Sequence, residues 1–520
     1  MTTGMVRRES VVRPVAWMMM AMALRSMLVL GREALSAACF GASAQTDAFN
    51  VGVAVTSFVL IVLSPLSDVF VPVYVDYLAR ERQADAQYIL NAVGTFVIFL
   101  LGLSAIVLIV FAEPLVRLFA PGFSPENHRL AVDLLRILVL FMVLSGLTVY
   151  GIMVLTAHKD FVWIGLAPVA GTAVAIAILW WLAPEAGIRA LAWGFVVSGL
   201  VEVFVLWQGF RHQRIHFRPT FRFREGVGIL GKLSFVMLAI RYMGQISEIV
   251  DRNLLSRLGE GSIAALNFAR NIYSLPFQIL TLGITRVVIT YFAWDAARAD
   301  NEGLKRNLSL SIRIAAFFMI PAGVGLIILR DLAVQVLYER GAFGFADTQA
   351  TAIALAWFSL GLFTRAVLFI AARYFLSRKA VGRFAGITAL NVVCHVAFNL
   401  LLVGSMGHAA VALSTTLADT VVAVAALILI RHELGALGGA YIARSCAKAS
   451  LAAATMGTIV YVGTVSPFLR SQGTYLQLGL LVTVGLIVYL FAAYVFRLDE
   501  LRLLLGLIRD RYRALLQGAD

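Results

Sequence analysis

Long apolar runs separated by short polar segments are the dominant pattern in this chain of 520 residues. Cut at polar loops and Gly/Pro clusters, the chain gives about fourteen runs of the roughly 20 residues that a helix needs to cross a bilayer. The pattern therefore predicts an all-α polytopic membrane protein, with spans near residues 12–40, 47–78, 88–118, 127–156, 160–183, 187–210, 228–257, 262–294, 307–337, 347–376, 382–404, 408–431, 440–466 and 474–496.

Composition agrees with this class of protein. Hydrophobic residues make up 61% of the chain and charged residues only 14%, against about 25% charged in a soluble domain. In a soluble protein the net charge of +14 would suggest nucleic acid. Here Lys and Arg fall in short loops, so the excess reflects membrane topology and no nucleic-acid partner is expected. Three scattered cysteines and seven scattered histidines indicate neither a disulfide scaffold nor a metal site.

Loop charge predicts the orientation. Basic residues occupy every second loop, whereas the alternate loops PEAG, LGEGS and GSMGH are nearly free of Lys and Arg. The positive-inside rule then places both termini in the cytoplasm. The segment after Phe496 alternates apolar and basic residues at helical spacing, which predicts an amphipathic helix on the inner leaflet.

The chain also repeats itself. A shift of 217 residues places Ala48 on Ala265 and Asn50 on Asn267, and the segment TDAFNVGVAVTSF matches AALNFARNIYSLP in pattern. This repeat predicts two pseudo-symmetric six-helix lobes with a site between them. The predicted organisation is an N-terminal lobe at 1–210, a basic cytoplasmic linker at 211–227, a C-terminal lobe at 228–431, two extra helices at 432–496 and the amphipathic tail at 497–520.

Charged residues interrupt the first apolar run. Arg25 and Arg32 are seven positions apart and so share one helix face. A charge near the bilayer centre costs roughly 2.5 to 3.5 kcal/mol on translocon scales, and such charges usually face a wet cavity or a partner. One interpretation is a cationic cavity. The other is that Arg25 snorkels to the interface while Arg32 pairs with Glu33.

Later runs carry similar charges. Arg241, Glu248 and Arg252 share a face of the seventh span, and cations in the interior outnumber acids. An anionic substrate would supply the missing charge, and the planar guanidinium fork suits phosphate. The substrate-binding candidates are Arg25, Arg32, Asp47, Arg241, Arg252, Arg270, Arg286 and Arg365.

A polar stripe in span eleven indicates a second kind of site. Asn391, His395 and Asn399 lie at i, i+4 and i+8, and span twelve adds Thr415 and Asp419. They form either a cation or proton site or hydrogen bonds between helices. Glu248 and Asp251 are further ion-coupling candidates. The chain has no nucleotide-binding or catalytic motif, so we expect no enzyme activity and no cofactor, with energy from an ion gradient or the membrane potential.

Several segments resemble one known family. LGREALSAACFGASAQTDAF, VFVPVY, ARNIYSLP and FNLLLVGSMGHAAVALSTTLAD are similar in order and spacing to the MurJ/MviN family of lipid II flippases, in the MOP exporter superfamily. The resemblance implies a fourteen-helix fold that moves an undecaprenyl-pyrophosphate-linked saccharide across the bacterial cytoplasmic membrane by alternating access. By resemblance, Arg32 and Asp47 match functional positions, and Asn391, His395, Val411 and Thr415 fall at the sodium site of some members.

The chain departs from the family at several positions. Ser26 and Asn271 stand where family arginines are expected, each beside an arginine of this chain, and His395 replaces a carboxylate. A histidine there favours proton or potential coupling over sodium, unless it only hydrogen-bonds Asn391 or Asn399. Alternative functions are a flippase for an exopolysaccharide or another lipid-linked oligosaccharide, a drug/cation antiporter, and a non-transporting scaffold for cell-wall or glycan synthesis proteins.

Overall fold

The computed structural model describes the backbone of residues 2–220, 225–298, 300–378, 380–503 and 505–506. Within these ranges, side chains are described except for residues 2–16, 68, 225–237, 279–291, 293, 294, 296 and 297. The described chain is helical, with short turns between helices. Its helices are α1 (Thr2–Phe40), α2 (Ala44–Leu60), α3 (Leu63–Ala79), α4 (Gln83–Val110), α5 (Ala112–Phe119), α6 (Pro125–Ala157), α7 (Phe161–Ala186), α8 (Arg189–His212), α9 (Glu225–Leu255), α10 (Ser262–Ala297), α11 (Asn301–Ile328), α12 (Arg330–Tyr338), α13 (Phe345–Leu360), α14 (Leu362–Ser377), α15 (Val381–Met406), α16 (Ala409–Leu434), α17 (Gly439–Val465), α18 (Pro467–Arg470) and α19 (Thr474–Val495).

Each predicted span coincides with one helix or with two helices that meet at a short break. Breaks divide α2 from α3, α4 from α5, α11 from α12 and α13 from α14. By length and hydropathy, the described residues contain ten helices able to cross a membrane, or eleven if α13 and α14, bent by 48°, form one span. The all-α polytopic class is confirmed, but the predicted number of fourteen spans is not. The charge-bearing α1, α9 and α10 are not among the ten.

Helix bounds carry the internal repeat. α4 and α11 begin and end 218 residues apart, and each is followed by a break, at Phe111 and Leu329. α7 and α15 begin and end 220 residues apart. Both of the latter end at a glycine with φ of +57°, Gly187 and Gly407, a conformation that residues with a Cβ adopt at a cost. The two halves of the chain therefore share one helix pattern.

One compact unit comprises Met1–Ala264 together with Arg340–Gly344. In it α8 packs against α6 and α7, α1 against α7, and α2 against α6. One of its core clusters includes the buried rings of Phe70 and Tyr150. α9 belongs to this unit and packs against α3 and α5, and the rings of Tyr242 and Phe58 lie 4.7 Å apart at an interplanar angle of 56°.

The second compact unit comprises Ala265–Glu339 together with Phe345–Asp520. In it α15 pairs with α16, α14 packs on α16, and α17 packs between α11 and α19. Phe317, Met456 and Tyr489 lie at the centre of the cluster that joins α17 and α19 to α11. The lobe boundaries at residues 210, 228 and 431 stay predictions. Most of the predicted amphipathic tail, residues 507–520, lies outside the described residues.

Candidate functional site

Two side chains contact the guanidinium group of Arg32 on α1. Its Nη2 donates to Glu33 Oε1 at 2.7 Å, and its guanidinium lies 4.3 Å from the ring centroid of Phe195. The side chain is 16% exposed, and among the described residues the buried Nε has no hydrogen-bond partner. The local pair that the sequence allowed is therefore present. One guanidinium donor is still left without an acceptor, and a buried donor in that state costs about 1–3 kcal/mol.

Glu202 on α8 is the second acid near this face. It lies within electrostatic range of both Arg25 and Arg32, and it packs with Ser198 over Gly171 of α7, where a Cβ would meet the Glu202 side chain at 2.7 Å. Arg25 itself is exposed. Arg25 and Arg32 thus have two acidic side chains nearby, Glu33 on α1 and Glu202 on α8.

Asp47 is buried near the start of α2, where it binds the beginning of α10. Its Oδ2 accepts the Gly261 amide at 2.8 Å and its Oδ1 accepts the Ala264 amide at 2.7 Å. The first amides of a helix have no partners within the helix, and a carboxylate there also interacts favourably with the helix dipole. Asp47, predicted from sequence to bind substrate, is placed as the N-terminal cap of a helix more than two hundred residues away.

Further contacts join the same part of the first unit. The Gly122 amide donates to Ser256 Oγ at 3.2 Å, and Asn253 Nδ2 donates to the Leu118 carbonyl at 3.2 Å. These contacts connect the segment between α5 and α6 with the end of α9. The Lys/Arg pattern predicts this side of the protein to be extracytoplasmic.

Two glycines allow backbones to approach closely here. Gly261 has φ of +83°, and a Cβ on it would lie 2.1 Å from the Ala42 carbonyl oxygen. Gly341 has φ of +60°, and its Cβ would lie 2.2 Å from the Ala38 oxygen, which also accepts the Ala342 amide at 2.8 Å. We call the contacts of Ala38, Ala42, Asp47, Leu118 and Gly122 with residues 253–264 and 340–342 the latch.

Arg252 lies at the end of α9. Its Nη2 donates to Glu248 Oε1 at 2.8 Å, the i, i+4 pair that the sequence spacing predicts. The residue is 7% exposed, yet its Nε and Nη1 have no hydrogen-bond partner among the described residues. Asp251 beside it is also buried, whereas Arg241, three turns earlier, is exposed.

In the second unit Asp419 on α16 accepts two hydrogen bonds. Arg365 Nη1 on α14 donates to its Oδ2 at 3.1 Å, and Asn391 Nδ2 on α15 donates to its Oδ1 at 3.0 Å. Asp419 is buried, whereas the Arg365 side chain is 45% exposed. The guanidinium of Arg270 lies 5.8 Å from the Phe358 centroid. The side chain of Arg286 lies outside the described residues.

The other ion-coupling candidates form separate pairs. His395 Nε2 lies 3.0 Å from Asn399 Nδ2, and both residues are buried. Thr415 Oγ1 donates to the Val411 carbonyl at 2.9 Å within α16. Of the predicted set, the described contacts bring together Asn391 with Asp419 and Val411 with Thr415. Among the described residues no group of three or more His, Cys, Asp and Glu side chains could hold a metal ion.

Comparisons with known proteins agree on one family. The family model described as "Lipid II flippase MurJ" matches residues 36–481. A protein named probable lipid II flippase MurJ, from Thermotoga maritima, is 25% identical over 476 residues, which cover 91% of this chain and 94% of that protein. Lipid II flippase MurJ of Burkholderia cenocepacia is 26% identical and covers 74% of this chain and 77% of its own length.

Solved structures share the fold. A lipid II flippase MurJ in an inward closed conformation superimposes with a TM-score of 0.78 at 22% identity, covering 93% of this chain and 99% of that one. An inward-facing multidrug resistance MATE transporter of the MOP superfamily gives a TM-score of 0.70 at 14% identity, covering 79% of this chain and 95% of that one. At such identities the likeness concerns the fold alone.

Proposed function

The chain belongs to the lipid II flippase MurJ family, and on that premise we propose that it moves a polyprenyl-pyrophosphate-linked saccharide of the lipid II type across the bacterial cytoplasmic membrane. Both termini lie in the cytoplasm in this proposal, as the Lys/Arg pattern predicts. Transport proceeds by alternating access and needs no cofactor.

Arg32 carries the proposal for the cargo's charged group. A transmembrane arginine with a buried donor that lacks an acceptor is costly unless something completes its hydrogen bonding. A pyrophosphate offers several oxygens to a guanidinium at once. Glu33 and Phe195 hold Arg32 in place, which leaves the Nε donor for the cargo. Arg252, with two unpartnered nitrogens, is a second contact in this proposal.

The latch supports the alternating-access part of the proposal. Transport requires one side to close while the other is open, and the closed side needs contacts that can break and reform. The latch consists largely of single hydrogen bonds to backbone groups. Such bonds contribute about 0.5–1.5 kcal/mol each, which is small enough for reversal. We propose that the latch opens to release the cargo.

For energy coupling we propose Asp419 as the group that responds to the coupling ion or proton. It is a buried carboxylate whose partners, Arg365 and Asn391, come from two different helices. Protonation or cation binding would weaken both contacts and release α14 and α15 from α16. The described hydrogen bond between His395 and Asn399, one and two turns along α15 from Asn391, lies within α15.

Complementation tests the function. Expressed in a bacterial strain depleted of its own lipid II flippase, the wild-type chain should restore growth. Arg32→Ala should fail at equal membrane abundance, and Arg32→Lys should restore growth partly because it keeps the charge but not the fork. Arg189→Ala is the matched control, since Arg189 pairs with Asp133 with both side chains about half exposed. Failure of the wild-type chain in a strain rescued by other family members would point to another lipid-linked oligosaccharide.

A further inference from the structure

A cavity of about 570 Å³ lies where α8 ends in the first unit. Trp207 and Phe210 of α8 form its apolar part, and Arg211, Arg214 and Arg218 form its charged part. Residue 218 belongs to the extended segment 215–220, which follows the turn after α8 and lies in the predicted basic cytoplasmic linker. The cavity takes no part in the transport proposed above.

The extended segment is fixed along α4. Asn91 and Thr95, one turn apart on α4, accept backbone amides from the segment: Arg218 donates to Asn91 Oδ1 at 2.9 Å and Thr220 donates to Thr95 Oγ1 at 2.9 Å. Alternate amides of an extended chain face the same side, so this spacing binds the segment by its backbone. The wall of the cavity that contains Arg218 is therefore held by main-chain contacts.

Aromatic side chains also pack against the wall of the cavity that contains Arg218. The Phe217 ring covers Gly94 of α4, where a Cβ would meet it at 2.6 Å, and lies 6.4 Å from the ring of Tyr150. Gln87 Nε2 also donates to the His216 carbonyl. The segment is thus part of the packed structure of the first unit, and the cavity is preformed.

The three arginines of the cavity have no acidic partner among the described residues. Arg211 lies with its guanidinium 4.3 Å from the Trp207 centroid, which fixes it by a cation–π contact. Arg214 has φ of +54°, a backbone conformation that disfavours side chains with a Cβ. In the second half of the chain, the turn that follows α16 uses Gly435, with φ of +81°.

We propose that this cavity binds the phosphate headgroup of an anionic phospholipid of the inner leaflet. Three guanidinium groups complement a phosphodiester, and the Trp207 and Phe210 side chains contact the glycerol and the first methylenes of the acyl chains. Tryptophan is enriched at the membrane–water interface, and juxtamembrane cations attract anionic lipids. The positive-inside rule alone requires cations near this position, but it does not require a cavity with an aromatic wall.

Lipid binding to the delipidated full chain in detergent tests the proposal. Native mass spectrometry would count bound dihexanoyl-phosphatidylglycerol, with dihexanoyl-phosphatidylcholine as the zwitterionic probe of equal chain length. The double variant Arg211→Gln/Arg214→Gln should weaken phosphatidylglycerol binding about tenfold or more, because it removes the attraction of two arginines to the anionic headgroup. Trp207→Leu should also weaken it. Binding of phosphatidylcholine should not change.

Arg431→Gln is the matched control, because Arg431 occupies in the last turn of α16 the position that Arg211 occupies in α8, and it is exposed and outside the cavity. This variant should bind phosphatidylglycerol like the wild type. Equal weakening in the control and the double variant would overturn the assignment. So would complete displacement of the lipid by an equal concentration of inorganic phosphate, which indicates a free-anion site. Tighter, variant-sensitive binding of farnesyl pyrophosphate would overturn it in favour of a cargo entry site.

Discussion

The carboxylate of Asp47 on α2 accepts the amide of Ala264 at 2.7 Å, and so fixes the first turn of α10 to the start of α2. Asp47 also accepts the Gly261 amide. For an aspartate that the sequence presents as a possible cargo ligand, we therefore propose a mechanical role in the latch. Its effect on transport should come through the closure of one side of the protein.

Asp47→Asn should loosen the latch. The substitution removes the charge and turns an NH₂ group toward one of the two amide donors, and a buried donor left without an acceptor costs about 1–3 kcal/mol. In hydrogen-exchange mass spectrometry, the peptide covering residues 258–266 should exchange about tenfold faster. Asp331→Asn is the control, since its side chain is 65% exposed. Unchanged exchange in the Asp47 variant would show that the cap does not contribute to the stability of the latch.

A buried ion pair in the second unit should determine its stability. Arg313 on α11 donates to Glu500 at 2.9 Å, both residues are buried, and Ser445 on α17 donates to the same carboxylate oxygen at 3.0 Å. Removal of one partner leaves a buried charge, at a cost of about 3–5 kcal/mol, whereas apolar replacement of both is often tolerated.

Thermal unfolding in detergent should follow that order. Arg313→Met and Glu500→Leu should each lower the melting temperature strongly, and the double variant should recover most of the loss. Additive losses in the double variant would mean that the two side chains are not energetically coupled.

The coupling proposal predicts different effects for substitutions of Asp419 and of His395. Asp419→Asn should abolish the dependence of transport on the driving gradient, because the carboxylate joins contacts from α14 and α15. His395→Gln should keep that dependence, because the proposal assigns the coupling to Asp419. Transport would be measured in vesicles with a sodium gradient and with a pH gradient, each at clamped potential. A rate that loses its pH response in His395→Gln alone would assign the coupling to the histidine.

The predicted topology can be tested with single cysteines in a background without Cys39, Cys394 and Cys446. Cysteines at Ala186 and Gly259 should react with an impermeant thiol reagent from outside, and one at Arg80 should not. Gly259 is chosen over the nearby Gly261, because a side chain on Gly261 would clash with the Ala42 carbonyl. Labelling of the Arg80 position from outside would show that the orientation is the reverse of the predicted one.

Sequence alone located the helices and the repeat because both depend on local apolar content. The i, i+4 pair of Arg252 with Glu248 was also predictable, since helix geometry brings such residues together. The breaks within helices were not. Pro114 and Gly325 lie within four residues of the breaks at Phe111 and Leu329. However, α11 runs through Pro321 without a break, so such residues do not by themselves predict where a helix is interrupted.

The cap that Asp47 forms at the start of α10 could not be predicted from the sequence either. Its partners are backbone amides, which every residue other than proline possesses, so no residue type 214 positions away signals the contact. The same holds for the linker segment, whose amides bind the side chains of Asn91 and Thr95. Composition marked that segment as basic and cytoplasmic, but only tertiary packing reveals that it lies along α4.

The central claim is that Arg32 binds the pyrophosphate of a lipid-linked saccharide during transfer, and the most direct measurement is the rate of lipid II transfer between leaflets by the purified chain in liposomes. The wild type and Arg189→Ala should transfer lipid II at equal rates. Arg32→Ala should be slower by about tenfold or more, as the loss of a charge-assisted hydrogen bond predicts, and Arg32→Lys should fall between them. Transfer by Arg32→Ala at the wild-type rate would contradict the account.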